Sequence, residues 1–303
     1  MSRLGRVFRS MRAFSRELTR VADVPRTAAP TIGLALGGGF ARGIAHIGVL
    51  KVLEEANISV QFVTGTSVGA LIGAVYCSGL SAAEMEEIAL RVRMKHLAKW
   101  TVSRFGMASN QRMAVFLNGV LRHKRFEDLR IPLGVVATDI GSGQGVVVRS
   151  GEVADAVRAS CAYPGMFLPV EVGGRLLVDG MLAHAVPSIP AREMGAQRVL
   201  AVHLKGNYNG TSPRHVFDVI GQCFSIAQEK MSGEWKQASD VILELDMADF
   251  KYDDFERSAE MIAVGEAAMR KALPRVQEWL KAQATEYRVA GAGASGERST
   301  AAG

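Results

Sequence analysis

The sequence predicts an α/β fold in three layers, a mostly parallel central sheet flanked by helices, preceded by an N-terminal amphipathic helix. Three observations carry this. Short apolar runs of strand length recur, the first at 32–36 and the second at 60–63. Both lead into glycine-rich turns that open helical patterns, GGGFARG (37–43) and GTSVG (65–69); strand, glycine turn and helix in series is the pattern of parallel βαβ units. A chain of 303 residues, 48% of them hydrophobic, also has enough apolar side chain for one sizeable core.

Taken in order, residues 1–24 place Leu4, Val7, Phe8, Met11, Phe14, Leu18 and Val21 on one helical arc, with Arg6, Arg9, Arg12, Arg16 and Arg20 opposite. Pro25 and Pro30 separate this basic extension, 1–30, from a main domain expected over 31–205. A helix is predicted over 44–56, with Ile47, Leu50, Val52 and Leu53 on its apolar face. The strand at 60–63 leads to a Gly- and Ala-rich helix ending near Gly79. Ser81 and Glu84 form a capping box that opens the next helix. The stretch 91–125 reads as basic helix interrupted near 106–110, and 81–126 as a cap of helices. Strands follow at 133–137 and 146–148, then a helix at 152–159 with Pro164 beyond it, then a hairpin of 170–172 and 176–178. A buried strand is expected at 198–202. Residues 206–288 complete the domain, with a last strand at 241–245 and helix over 254–288 broken at Pro274. The Gly/Ala/Ser-rich tail, 289–303, is expected to be disordered.

The net charge of +6 is unevenly placed. Residues 1–30 carry seven Arg against Glu17 and Asp23, and 88–126 carry nine Lys or Arg and no acid, so the remainder is acidic. Two basic segments point to a local anionic partner. Aromatic residues are not interleaved with them as stacking platforms and no nucleic-acid module is present, which argues against nucleic acid. Cys77, Cys161 and Cys223 are odd in number and widely spaced, giving neither a disulfide framework nor a zinc site. Each is expected to be a buried, inert thiol in a reducing compartment. The acidic residues from Asp240 to Glu260 lack calcium-loop spacing, and neither metal nor cofactor is expected. No apolar run of about eighteen residues occurs and Arg interrupts the N-terminus, so the expectation is a cytoplasmic chain without membrane span or secretory signal. The Arg-rich start also fits a mitochondrial presequence.

Three elements carry chemistry. In Gly65-Thr66-Ser67-Val68-Gly69, small residues two before and two after let a strand turn sharply into a helix, with Ser67 exposed at the apex. The same five residues are also compatible with a glycine-flanked N-cap. Gly37, Gly38 and Gly39, followed by Phe40, Ala41, Arg42 and Gly43, present consecutive N–H groups to one concavity, an oxyanion nest. A dinucleotide loop would want an acid about twenty residues on, and 57–61 holds none. Asp179 closes the apolar run Leu176-Leu177-Val178 and precedes Gly180, which suits a carboxylate orienting a hydroxyl; Asp-Gly is equally an ordinary turn pair.

Together these residues resemble the bacterial patatin-like phospholipases. The resemblance rests on the glycine loop with Arg42-Gly43 and AHIGVL (45–50), on GTSVGA, on VVATD (135–139), on RASCAYPGMFLPV (158–170), and on LLVDG (176–180) with Val186-Pro187. It spans about 31–205 and implies a three-layer patatin-like fold that hydrolyses fatty-acyl esters of glycerolipids. It also implies a Ser67–Asp179 dyad forming an acyl-enzyme, with an oxyanion hole from Gly37, Gly38, Gly39, Phe40 and Val68. Gly65, Gly69, Arg42, Gly43 and Gly180 are its supporting positions. The sequence departs from the family at Met181, where Gly is usual, and at His184, where Asn is usual. Phe40 before Ala41-Arg42-Gly43 leaves the register of the oxyanion hole open by one residue.

His184, His203 and His215 all follow Asp179, so the order Ser, acid, His of an esterase or thioesterase triad is also present. His46 is expected to pack or cap. Arg42 is a candidate for a lipid phosphate or for a salt bridge at the helix start. A further reading is a weakly active or non-catalytic regulator on the same fold. A lipid substrate implies peripheral contact with an anionic membrane at its inner face, with 1–24 as interfacial anchor and 91–125, including Trp100, Phe105 and Phe116, as a cap. A helix docked on a partner subunit and a solvated basic face are the competing readings of these two segments.

Overall fold

The computed structural model describes residues 30–103, 106–205, 212 and 216–293, with side chains left out at 102, 217, 218 and 281–293. The chain divides into a compact unit, Pro30–Glu278, and a second unit of Met1–Ala29 with Trp279–Gly303. The expected helix at 1–24 lies outside the described residues.

The core of Pro30–Glu278 is an eight-stranded sheet. Five strands are parallel: β1 (Ile32–Leu36), β2 (Phe62–Thr66), β5 (Leu133–Asp139), β9 (Arg198–Lys205) and β10 (Val241–Asp246). The other three are joined by antiparallel pairing: β6 (Gly145–Val148) and β8 (Arg175–Asp179) on β5, and β7 (Val170–Val172) on β8. The order is β10-β9-β1-β2-β5-β8-β7, with β6 also on β5. Every residue of β1 is buried because both sheet faces are covered, which is why the run IGLAL is apolar without alternation. Gly33 and Ala35 are small because α7 (Ser188–Glu193) lies close on that face. Leu36 turns to the other face and meets α2 (Val68–Cys77) at Gly73. On this second face α1 (Ala45–Glu55) and α3 (Ala82–Arg91) are joined to α10 (Ser258–Gly293) by Lys51, which pairs with Glu86 at 2.8 Å and Glu266 at 2.9 Å. The capping box of Ser81 and Glu84 forms as the sequence predicts.

The stretch 91–125 departs from expectation. After a short α4 (Met94–Leu97) it forms an antiparallel hairpin of β3 (Lys99–Ser103) and β4 (Gly106–Ser109), then α5 (Gln111–Val120). Trp100, Thr101 and Val102 favour a strand, and a stretch without acids offers a helix no i,i+4 ion pairs. Among the described residues, Pro274 does not break α10: buried Met269 and Val276 anchor the helix on either side of it. The helix runs to Gly293, so 289–293 are helical rather than tail, in keeping with the high helix propensity of Ala290 and Ala292. Cys77 and Cys161 are buried, but Cys223 is exposed. It lies on the outward face of α8 (Val216–Lys230), in helical register with exposed Val216, Val219 and Ile226.

Candidate active site

The site lies at the carboxyl ends of β1 and β2, where open α/β sheets bind ligands. Ser67 sits on the bend between β2 and α2 with φ 54° and ψ −123°, a strained conformation for a residue with a side chain. The bend is tight because Gly69 permits it: a Cβ there would stand 2.1 Å from the carbonyl oxygen of Leu36. The Ser67 hydroxyl donates to Asp179 Oδ2 at 2.7 Å, although 112 residues separate them.

Asp179 arrives at the end of β8, and three contacts fix it. Its N–H donates to the Ala162 carbonyl at 3.0 Å. The Thr138 hydroxyl donates to its carbonyl at 2.9 Å. Gly180 lies so close to β5 that a Cβ would meet the Val136 carbonyl at 2.1 Å. The turn that follows is tied to β2, where the hydroxyls of Thr66 and Thr64 donate to the carbonyls of His184 and Pro187. The Asp179 carboxyl is buried, and burial pushes its pKa up to about 7. The Met181 N–H, donating to Oδ1 at 3.0 Å, and the Ser67 hydroxyl oppose that rise.

Ser160, within RASCAYPGMFLPV, has no role that the sequence reveals. Its hydroxyl accepts from the Ser67 N–H at 2.8 Å and donates to the Val136 carbonyl at 2.5 Å. The signal was a small polar residue at the end of an apolar helix, Val153–Ser160 (α6), too common to stand out.

The glycine loop faces the serine: a Cβ on Gly38 would lie 3.4 Å from that of Ser67. Two of the five expected oxyanion donors are nevertheless occupied. The Gly37 N–H donates to the Val202 carbonyl at 3.0 Å and the Gly38 N–H to the Ala185 carbonyl at 3.2 Å. Among the described residues no protein acceptor takes the N–H of Gly39, Phe40 or Val68, the last two opening helical turns. Arg42 donates through Nε to the Gly39 carbonyl at 3.2 Å, so it braces the loop in this structure, and it makes no salt bridge among the described residues. Gly43 lies against the Val68 side chain, which ties the two turns together, and Gly65 lies against Ala70, which keeps the serine elbow tight.

No described histidine side chain reaches the pair. His46 is buried and held neutral, its pKa lowered to about 4 by burial, with Nε2 2.9 Å from the Gly37 carbonyl. The His184 ring lies against Gly145. His203 packs on Trp235 and faces Glu244. His215 lies outside the described residues.

A cleft of about 890 Å³, counted out to its open side, contains Ser67. Apolar side chains dominate its walls, among them Phe40, Leu71, Met85, Leu97, Met113 and Phe116. Cys161 also borders it, with a thiol pushed well above its usual pKa by burial and by Asp179. Among the described residues no group of three His, Cys, Asp or Glu could hold a metal ion. No helix among them is long and apolar enough to cross a membrane.

Fold and bend together define a three-layer α/β protein with a serine raised on a strand-to-helix elbow against a carboxylate. Residues 34–192, just over half of the chain, match the family described as patatin-like phospholipase, and the chain belongs to that family. It is 33% identical over 186 residues to an uncharacterized NTE family protein of Mycobacterium tuberculosis, covering 61% of this chain and 52% of that one. It is 36% identical over 203 residues to patatin-like phospholipase domain-containing protein 6 of Homo sapiens, covering 63% of this chain and 15% of that one. Lysophospholipase NTE1 of Mycosarcoma maydis is 35% identical over 201 residues, covering 63% of this chain and 10% of that one. The chain thus spans about half the length of the mycobacterial relative and much less of the other two. Among solved structures, VipD from Legionella pneumophila shares the fold at TM-score 0.52 and 14% identity, over 82% of this chain and 67% of that one.

Proposed function

We propose that the chain hydrolyses fatty-acyl esters of glycerolipids, lysophospholipids and phospholipids included, with Ser67 as nucleophile and Asp179 as its base. The observation that carries this is the 2.7 Å hydrogen bond from Ser67 to the buried Asp179 beside an apolar cleft of acyl-chain character. A carboxyl whose pKa lies near 7 is matched to proton transfer at neutral pH. Asp179 takes the Ser67 proton as Oγ attacks the ester carbonyl. The N–H groups of Gly39, Phe40 and Val68 receive the oxyanion. Collapse expels the alcohol, which leaves with the proton from Asp179, and an acyl-serine remains. Asp179 then deprotonates a water that attacks the acyl carbonyl; the fatty acid departs and Ser67 regains its proton.

The described histidines favour a dyad over a triad, since the side chains of His46, His184 and His203 are engaged elsewhere. The intact pair argues against a non-catalytic regulator. Peripheral contact with an anionic membrane follows from the substrate, and deleting 1–24 tests the anchor by co-sedimentation with liposomes.

The deciding experiment is a lipid-class hydrolysis panel comparing the chain with Ser67→Ala, alongside fluorophosphonate labelling. The expected result is release of fatty acid and labelling at Ser67, with activity falling roughly 10³-fold or more in the variant. An unlabelled serine, or a variant as active as the parent, removes the assignment.

A further inference from the structure

The elements that wall the cleft carry a second, outward-facing surface. Met94 and Leu97 of α4, and Met113 and Phe116 of α5, turn into the cleft. Between and beside them, Trp100 is 72% exposed and Val115 74%. Met107 and Leu90 are exposed as well. Trp100 is not on a loose loop. Its strand partner is Ala108, which is buried and bonded through N–H to the Met166 carbonyl at 2.8 Å. The hairpin is thus seated on the core while the indole is held out to solvent.

The charges around these apolar residues are unusual. Elsewhere in Pro30–Glu278 many cations are paired with acids, as Arg192 is with Asp240 at 2.6 Å and Arg270 with Glu55 at 2.7 Å. Arg91, Arg93, Lys95, Lys99 and Arg112 have no carboxylate within ion-pair distance among the described residues, and 88–126 contains no acid to supply one. The polar contacts of Arg93 and Arg112 go to backbone carbonyls of the same segment. A protein partner of ordinary composition would be met by matching acids and a shaped groove. Unpaired cations on and beside the elements that hold out a Trp and a Val instead fit a fluid anionic interface, with rings and methyls entering the acyl boundary and cations meeting phosphates.

We propose that α4, the paired strands β3 and β4 and the outer side of α5 form a docking face for an anionic phospholipid bilayer, presenting the cleft behind them to lipid. The role in catalysis rests on the hydrolase reading above; the binding does not.

The test uses the full chain and sedimentation with two vesicle types, phosphatidylcholine alone and phosphatidylcholine with about a third phosphatidylglycerol. Hydrolysis of soluble p-nitrophenyl butyrate is read in parallel. The variants are Trp100→Ser and Lys95→Ala/Lys99→Ala, all at exposed side chains outside the cleft lining. Binding is expected on the anionic vesicles only. The double Lys variant should bind roughly 10- to 30-fold more weakly, and Trp100→Ser several-fold more weakly, with soluble-ester turnover and melting temperature unchanged. Equal binding to neutral vesicles, no binding to either, or anionic binding that neither variant weakens overturns the proposal; the last result would place docking in another segment. Absence of ester turnover in the parent would instead strike the hydrolase reading and leave the docking face standing.

Discussion

Ser160 holds the backbone of Ser67 rather than its side chain: one hydroxyl takes the Ser67 N–H at 2.8 Å and returns its own proton to Val136 at 2.5 Å. The bend at Ser67 is strained, and strain persists only where neighbours over-determine it. Ser160→Ala leaves a buried donor and a buried acceptor unpaired. It is expected to cost about 1–3 kcal/mol in chemical denaturation and to lower kcat more than it raises KM. Unchanged stability and kcat would show that the elbow stands without this brace.

The pH profile follows from the state of Asp179. A base must be ionised, and burial raises this carboxyl to about 7. kcat/KM on a neutral soluble ester should therefore climb about tenfold per pH unit below that value and level off above it. A profile flat from pH 5.5 to 8.5 would exclude Asp179 as a base of raised pKa.

The same shift has a stability sign. The folded pKa lies above the unfolded value of 3.8, so the native state binds more protons between the two, and stability falls as pH rises from about 4 to 7. Asp179→Asn removes the ionisation and keeps an acceptor for the Met181 N–H. It is expected to be inactive yet more stable by about 1–3 kcal/mol at pH 8, an advantage that disappears near pH 4. Melting temperatures of the two proteins at both pH values provide the check.

Two glycines should behave in opposite ways. Gly180→Ala drives a Cβ onto the Val136 carbonyl, 2.1 Å away, and must displace the strand end that carries Asp179. A loss of about 2–4 kcal/mol and most of the activity is expected. Gly119 lies within α5 with nothing inside 4 Å of its Cβ position, and Gly119→Ala should stabilise by about 0.5–1 kcal/mol without touching activity.

The parts of the site written in local spacing were legible in the sequence. Ser67 shows through the glycines on either side of it, and the strands through their continuous apolar runs. Asp179 reads locally as an ordinary Asp-Gly turn, and only the ordered motifs around it mark it as part of a site. What stayed hidden depends on backbone atoms far along the chain. Whether the Gly37 and Gly38 N–H groups are available is decided by carbonyls at 202 and 185. His46 matters through one bond to the Gly37 carbonyl, which no pattern in its own helix announces. The strand at 99–103 reads as helix in the sequence because scattered apolar residues in a basic run fit more than one period; its partner strand falls where the sequence shows an interruption, and the packing of Ala108 on Phe167 fixes the pair in place.

The strand carrying residue 179 joins the sheet through β5, not through the strand that leads to residue 67. A half-made chain, or any folding intermediate whose β7–β8 hairpin is still adrift, therefore owns an alcohol with nothing to accept its proton. On the proposed mechanism, hydrolytic competence therefore waits on the docking of residues 170–179 against β5, and a chain short of that contact is inert.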